Sequence, residues 1–462
     1  MAAQVEFHDV QGNILNGYRF DHAAYLFLHA ASAEAARACL RELAGRVTTA
    51  VPWPGEPPQT TLNVAVTFSG FERLGLPAAL LDRFPEAFGA NVAERSADLL
   101  GDTGRSDPAE WADGLGTGEA HLLLTVHAQT ETDLAEACAE QRRRVEASGG
   151  ELSIVHERQA HALAGKREHF GYADGFAQPH IEGVPRLTGH RTATTRGHGV
   201  PVDGSGWRPL KVGEFLLGYP DEDGQVDTEP DPGLSRNGTY VVYRELRQDV
   251  AGFRKGLEEA AAASGLSKEL VAAKVVGRWR DGTPLALSPD YDPPDDLADR
   301  ADRDPPNDFR YLPHDREGYR CPVGAHIRRT NPRDAFGSVG ELSARHRIIR
   351  RGMPYGDPLL PGTEDDADRG LVFVCFNADI QRQFETVQAA WCNDGDAFGL
   401  GEDRDYLLGD TGGSGKMTIP VSGSYPRFVD AQPEIVLTRG AEYLFAPGIA
   451  ALHRLAAEPA PS

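Results

Sequence analysis

The chain has 462 residues, more than one compact core usually needs, which favours two domains or one large duplicated one. Hydrophobic residues make up 40%, aromatic residues 8% and charged residues 25%, an ordinary globular mix that excludes a disordered chain. With 47 Lys and Arg against 69 Asp and Glu the formal net charge is −22, a sign that disfavours nucleic acid and anionic membrane surfaces as partners.

Met1 to Val10 carries no basic, apolar or twin-arginine leader pattern. Apolar runs such as Tyr25 to Leu28 and His121 to Val126 fall far short of the ~20 residues that cross a bilayer. The expectation is a soluble, cytoplasmic protein with no membrane partner. Cys39, Cys138, Cys321, Cys375 and Cys392 are odd in number and widely spaced, which predicts reduced thiols and neither a disulfide framework nor a zinc knuckle.

Along the chain, four segments share one grammar: a short apolar run, a polar capping residue, then an alanine- and glutamate-rich stretch of helical period. They are Ala24–His29 into Ser32–Leu43, His121–Ala128 into Thr132–Ala147, Thr239–Tyr243 into Asp249–Ala263, and Leu371–Phe376 into Asp379–Trp391. Further strands are predicted at Leu62–Phe68, Glu214–Leu217 and Glu434–Leu437. Two strand–helix units fall in each half, so the spacing predicts a duplicated fold of mixed strands and helices. Pro185 to Gly206 lacks periodicity and reads as the connection, giving domains of 1–195 and 206–462. Asp290 to Asp308, rich in aspartate and proline, reads as a solvated loop, and Glu458 to Ser462 as a tail.

Two motif look-alikes fail on geometry. Gly412-Gly413-Ser414-Gly415-Lys416-Met417-Thr418 lacks the first glycine and the magnesium-binding hydroxyl of a phosphate loop, and reads as a glycine turn. His156 and His161 stand five apart, whereas a zinc-binding helix needs two imidazoles at i and i+4. No serine-hydrolase elbow and no dinucleotide fingerprint is present.

Three segments carry chemistry. Glu168-His169-Phe170-Gly171-Tyr172-Ala173-Asp174-Gly175-Phe176-Ala177-Gln178-Pro179 sets one carboxylate in a tight turn between glycines. Cys321-Pro322-Val323-Gly324-Ala325-His326-Ile327-Arg328-Arg329-Thr330-Asn331-Pro332-Arg333 presents a histidine after small residues, so a bulky planar group can approach its ring, with arginines following to meet anions. Arg345-His346-Arg347-Ile348-Ile349-Arg350-Arg351-Gly352-Met353-Pro354-Tyr355-Gly356 ends an apolar step with a cationic pair. Taken singly, each has an ordinary reading: an Asx-turn aspartate, a hydrogen-bonded histidine and a solvated basic patch.

In this order the three segments resemble the dye-decolourising peroxidase family, whose signature is Gly-x-x-Asp-Gly, an axial haem histidine and a distal arginine. Asp9 to Leu15, Val276 to Trp279 and Asn393 to Asp396 are also similar, and the length, the Arg350 to Gly356 segment and the acidic insertion resemble the longer C/D-like subgroup. The resemblance implies an α+β fold of duplicated ferredoxin-like domains with antiparallel β-sheets and peripheral helices, with haem in the C-terminal half. It implies a haem peroxidase that reduces hydrogen peroxide through a ferryl intermediate and oxidises dyes, phenolics or other one-electron donors, with haem b as cofactor. A haem carrier or sensor, or a haem-handling biosynthetic oxidase, is the alternative on the same fold.

By that resemblance His326 is the iron ligand, Asp174 the acid–base and Arg350 the distal cation, with Arg351 as rival. Leu371 and Phe373, on one face of their strand with Cys375, are assigned to the distal haem wall, against an ordinary core role. Arg329 is assigned to a haem propionate, with Arg328 and Arg333 as rivals. The proximal histidine needs a carboxylate or carbonyl partner, and Glu385 or Asp379 is expected to supply it, Asp379 being alternatively a helix cap. Tyr355 is the first candidate for electron relay to bulky donors, followed by Trp279, Trp391 and Tyr406. Tyr172, at a variable position of the aspartate motif, is expected near the haem. An aspartate base stays ionised where histidine would be protonated, so activity optima are expected to be acidic.

Overall fold

The structure, a computed structural model, describes residues 4–185, 196–202, 206–290, 307–337, 341–409, 415–430 and 434–457. Most of the joining region, the acidic stretch, the start of the glycine turn and the C-terminal tail lie outside the described residues.

The first half runs β1 (His22–Ala30), α1 (Ala33–Ala44), β2 (Thr60–Thr67), β3 (Leu122–Ala128), α2 (Glu131–Ala147) and β4 (Leu152–His161). Its strands lie side by side as β4-β1-β3-β2, all antiparallel, which is the ferredoxin-like order. The second half contributes β5 (Thr239–Gln248), α3 (Val250–Ser264), α4 (Lys268–Val276), α5 (His326–Thr330), β6 (Ile349–Arg350), β7 (Met353–Tyr355), β8 (Gly370–Asn377), α6 (Gln381–Cys392), β9 (Val436–Ala446) and α7 (Ile449–Ala456). Its order, β9-β5-β8 with β6 and β7 both on the outer side of β8, repeats the same plan. Pairing of Leu444 with Thr67 and Phe445 with Val66 joins the copies into one nine-stranded sheet. The fold is therefore α+β and duplicated, as the resemblance implied.

Local chemistry sets the element ends. Ser32, Thr130, Asp249 and Ser267 each accept a backbone N–H three residues on, at 3.2, 3.1, 2.8 and 3.2 Å, and so cap α1, α2, α3 and α4. Gly265 and Gly277 close α3 and α4 with φ of 71° and 95°, a backbone that side chains disfavour. Helix α6 has the wide pitch of a π-helix, with Glu385 N–H bonded to Ile380 C=O and Asn393 N–H to Gln388 C=O.

Strand alternation sorts side chains into two cores. Ala24, Leu26 and Leu28 of β1 and Cys375 of β8 pack outward under α1, α6 and α7, whereas Ala23, Tyr25 and Phe27 join Val372, Val374 and Phe376 in an inner core. The inner core is closed by side chains reaching from β4 to the second half. Arg158 stacks over Tyr355 at 4.4 Å, and His156 and Arg158 both bind Glu245 of β5, each at 2.6 Å.

One expected element differs, and one rejected motif is accounted for. Glu214–Leu217 is not a strand: Val212–Glu214 forms a single helical turn that buries Glu214 against Arg382 at 3.2 Å, so its short apolar run is core packing rather than sheet. His156 and His161 lie on strand β4, where a spacing of five puts them on opposite faces and rules out a shared metal.

Candidate active site

The aspartate-bearing segment leaves β4 and turns twice through glycine, Gly171 with φ of 95° and Gly175 with φ of 92°. Glu168 ties the loop down by accepting the N–H groups of Phe170 and Tyr172 at 2.8 and 2.9 Å and the Gln248 side chain at 2.6 Å. Asp174 Oδ1 accepts the Gly175 N–H at 2.6 Å and faces Arg350 Nη2 at 3.5 Å, while the carboxylate stays 54% exposed. Burial opposes its ionisation, but Arg350, the Gly175 N–H, His326 and Arg278 outweigh that and hold its pKa below the usual aspartate value.

Arg350 sits on β6 directly opposite Cys375 of β8. Residues paired across strands share a sheet face, so Arg350, Cys375, Phe373 and Leu371 point the same way. Leu371 and Phe373 are half-buried, whereas Val372 and Val374 between them are in the inner core, so the pair lines a partly open face. Arg351 turns to the other side, donating to the carbonyls of Asn13 and Ile14 at 3.0 and 3.1 Å. The structure thus separates the two rivals: Arg350 meets Asp174 and Arg351 does not. Gln178, four residues after Asp174, grips the backbone of Arg350 on both sides, donating to its C=O at 2.8 Å and accepting its N–H at 3.1 Å.

His326 opens α5, and its Nδ1 lies 2.9 Å from Oδ2 of the fully buried Asp405. Asp405 is kept ionised: burial resists, but His326, Arg329 and the Leu408 N–H pull its pKa down. A charged carboxylate only accepts, so Nδ1 carries the hydrogen and Nε2 keeps its lone pair for a metal. The same contact, working against burial, raises the pKa of His326. This corrects the expected partner. Glu385 is bound instead by Arg95, at 2.7 Å from Nη2, and by Tyr443 at 3.0 Å, and Asp379 caps α6 through the Arg382 N–H at 2.9 Å. Asp405 lies 79 residues beyond His326 in a loop with no periodicity, so no local signal marks it.

Arg329 is also corrected. Its guanidinium is fully buried and donates to the carbonyls of Gly324, Trp391, Asp394 and Asp403 at 3.2, 2.7, 3.1 and 2.7 Å, which ties α5 to the loops around it and commits four of its five N–H donors to backbone rather than to a propionate. Arg328 is spent on Asp315 and on the Cys321 carbonyl at 3.3 and 2.8 Å. Among the described residues, Arg278, Arg333 and Arg347 form no ion pair. Burial and neighbouring arginines push Arg278 down to about 10 and Arg347 to about 9, and burial lowers Arg333. Arg278 adjoins Asp174, and Arg347 adjoins Arg350 and Arg333.

The remaining expectations meet burial. Tyr355, Trp279, Trp391 and Tyr406 are 1, 4, 5 and 7% exposed, so none is a surface relay; Tyr355 bonds Asp368 at 3.3 Å. Tyr172 turns into the core, its hydroxyl on the Ala272 carbonyl at 2.8 Å. Cys39, Cys138, Cys321, Cys375 and Cys392 are free and buried.

Nε2 of His326 is left for a metal, Asp174 and Arg350 lie close enough to His326 to act on its pKa, and three buried arginines with no ion pair among the described residues, Arg278, Arg333 and Arg347, adjoin that pair or one another. A dianionic planar cofactor ligated through iron fits both features, because unpaired buried cations are costly until they meet an anion. Such a site on such a fold defines a haem peroxidase. A family model, Dyp-type peroxidase, C-terminal, matches residues 221–400. The multifunctional dye peroxidase DyP2 of Amycolatopsis sp. is 31% identical over 97% of this chain and 95% of its own. The dye-decolorizing peroxidase msp1 of Mycetinis scorodonius is 27% identical over 98% of this chain and 88% of its own. Among solved structures, an ancestral D-type dye-decolorizing peroxidase superposes with a TM-score of 0.81 at 27% identity, covering 99% of this chain and all of that one. The DyP-type peroxidase of Anabaena sp. superposes with a TM-score of 0.78 at 26% identity, covering 97% and 94%. The chain belongs to the DyP-type peroxidase family.

Proposed function

We propose that the chain is a hydrogen peroxide-dependent peroxidase that holds haem b through His326, with residues 1–195 supplying the aspartate-bearing segment and residues 206–462 the haem side. The observation that carries this reading is the Asp174–Arg350 pair at 3.5 Å, both members of which act on the pKa of His326. No two cysteines have the spacing of covalent haem attachment, which supports a haem held by His326, by Arg278, Arg333 and Arg347 at its propionates, and by Leu371 and Phe373 at its distal face. Five unpaired cysteines suit a reducing, cytoplasmic compartment.

Haem held by His326 would supply the redox-active iron and the two electrons that peroxide takes up as its O–O bond breaks. Asp174 Oδ2, free of the Gly175 N–H, takes the proton from one peroxide oxygen and delivers it to the other, which leaves as water. Arg350 offsets the negative charge that grows as the oxygens separate, a role worth about 3–4 kcal/mol in preorganised sites. Asp405 holds the His326 ring and raises its basicity. The electron donors are aromatic: relatives are named for dye oxidation, and one neighbour was solved with 2,6-dimethoxyphenol. A carrier has no use for a peroxide-cleaving carboxylate and guanidinium, which favours the enzyme.

The test is the visible spectrum of haem-loaded protein as peroxide is added at acidic pH. The wild-type Soret band is expected to shift rapidly, Asp174→Asn to respond far more slowly, and His326→Ala to lose the band or weaken it. A protein that takes up no haem overturns the reading, and haem without peroxide reactivity promotes the carrier.

A further inference from the structure

The inner core holds a second polar site, across β8 from Leu371 and Phe373 and separate from the haem reading. A cavity there is walled by Val64, Leu123, Val374 and Phe376 and entered by Arg351, Tyr25, His127 and Asn13. No carboxylate lines it, and Arg351 has no ion pair among the described residues. Three of the polar groups are buried and aimed at nothing: the Tyr25 hydroxyl, His127 Nδ1 and the Asn13 carboxamide oxygen have no hydrogen-bond partner, at 1, 8 and 7% exposure. Leaving such atoms unpaired is unfavourable, because each has lost its water without gaining a partner.

All four groups line the one cavity, and each can present a hydrogen. The guanidinium has donors left beyond the three carbonyls it meets. The phenol donates, and His127, held neutral because burial and Arg351 press its pKa down to about 4, can carry its hydrogen on Nδ1. A half-turn of the Asn13 amide exchanges oxygen for NH2. One positive charge, up to four donors, the Thr125 hydroxyl and walls that are otherwise apolar suit a single charge with a loose hydration shell. Phosphate or sulfate would bring a second charge with nothing to meet it. Access exists, because Gly17 is exposed and a side chain there would stand 3.7 Å from the Arg351 guanidinium.

We infer that this cavity binds one weakly hydrated monovalent anion, of the class of bromide, chloride or nitrate, between Arg351, Tyr25, His127 and Asn13. Occupancy pairs the arginine charge and satisfies the three orphaned atoms, so the anion stabilises the folded chain in proportion to its concentration over its dissociation constant.

The experiment is thermal unfolding of haem-loaded protein at neutral pH in sodium bromide against sodium gluconate of equal ionic strength, gluconate being too bulky for the cavity. The Soret band is recorded alongside, so that halide on the iron is recognised. The expected result is a saturable rise in Tm with bromide only. Tyr25→Phe should raise the half-saturating bromide concentration about fivefold, the worth of one hydrogen bond, and Arg351→Met should abolish the response. Anomalous diffraction from a bromide-soaked crystal should show one peak within hydrogen-bond distance of these side chains. A Tm that is identical in the two salts, a non-saturating trend, or a cavity without anomalous density overturns the inference. If Arg351→Met does not fold, an unchanged bromide response in Tyr25→Phe overturns it equally.

Discussion

At the scale of single residues, the two faces of the proposed haem pocket are tuned by opposite devices. On the proximal side one carboxylate, Asp405, with no exposure to water, fixes which nitrogen of His326 is free. Asp405→Asn preserves the shape but removes the charge, and outer ligands of this kind are worth about 10–100-fold in metal affinity or activity. Haem titration of the variant is expected to show that loss with the Tm little changed; unchanged affinity and unchanged activity would mean that the contact is ornamental. On the distal side Asp174 is depressed by Arg350 and its neighbours. The working base is its ionised form, so the rate of reaction with peroxide should be full at mildly acidic pH and lost as pH falls through a value below the ordinary ~3.9. Stopped-flow rates against pH check the sign: a midpoint at or above the ordinary aspartate value would show that Arg350 does not govern it.

Among elements, the clamp of Gln178 on β6 matters most, because it makes the aspartate loop and the arginine strand one unit. Gln178→Ala leaves the Arg350 N–H and C=O without these bonds and should lower stability by about 1–3 kcal/mol. Its distinctive signature is a slower reaction with peroxide, while KM for the aromatic donor stays near wild type. Equal loss in both half-reactions would indicate general loosening instead. Such a clamp was not legible in the sequence, and neither was Asp405, because both join residues more than seventy positions apart. What was legible is local. The strand–helix grammar of β1–α1, β3–α2, β5–α3 and β8–α6 is set by alternation and by Ser32, Thr130 and Asp249 at the helix starts, all within a few residues. The segments bearing Asp174, His326 and Arg350 stood out only through their resemblance, in that order, to a family signature, and the glycines around Asp174 have the positive φ that the turn requires. Arg329 misled because a sequence shows a guanidinium's reach but not its direction; four carbonyls of neighbouring loops had already claimed it. Tyr355 misled because one residue of strand phase decides between surface and core.

In the molecule as a whole, the two ends of the strand row have to be brought together before Asp174 can meet Arg350. The loop of Asp174 follows β4 at one end, and Arg350 lies on β6 at the other. Glu245 closes that gap from the middle of the second half. Its carboxylate, fully buried, holds His156 and Arg158 of β4, and takes the Tyr243 hydroxyl at 2.7 Å, while Arg158 reaches on to Asp368 at 3.1 Å. A buried carboxylate shared by an arginine and a histidine is favourable only while every partner is present, and removing its charge strands the others. Glu245→Gln is therefore expected to lower stability at neutral pH by about 3 kcal/mol. Burial alone would raise the pKa of Glu245, but His156 and Arg158 more than offset it, so the folded value lies below the ordinary ~4.3. A depressed folded pKa contributes stability that is present above the unfolded value and lost as pH falls through the folded one. The Tm gap between wild type and Glu245→Gln should consequently be widest near neutrality and close as the solution is acidified below about pH 4. Because the latch also sets the aspartate loop against β6, the variant should react more slowly with peroxide at neutral pH even where it remains folded. A gap that instead narrows as pH rises above ~4.3 would mean that the carboxylate is protonated in the native state, and that hydrogen bonds alone, with no charge, hold the two halves closed.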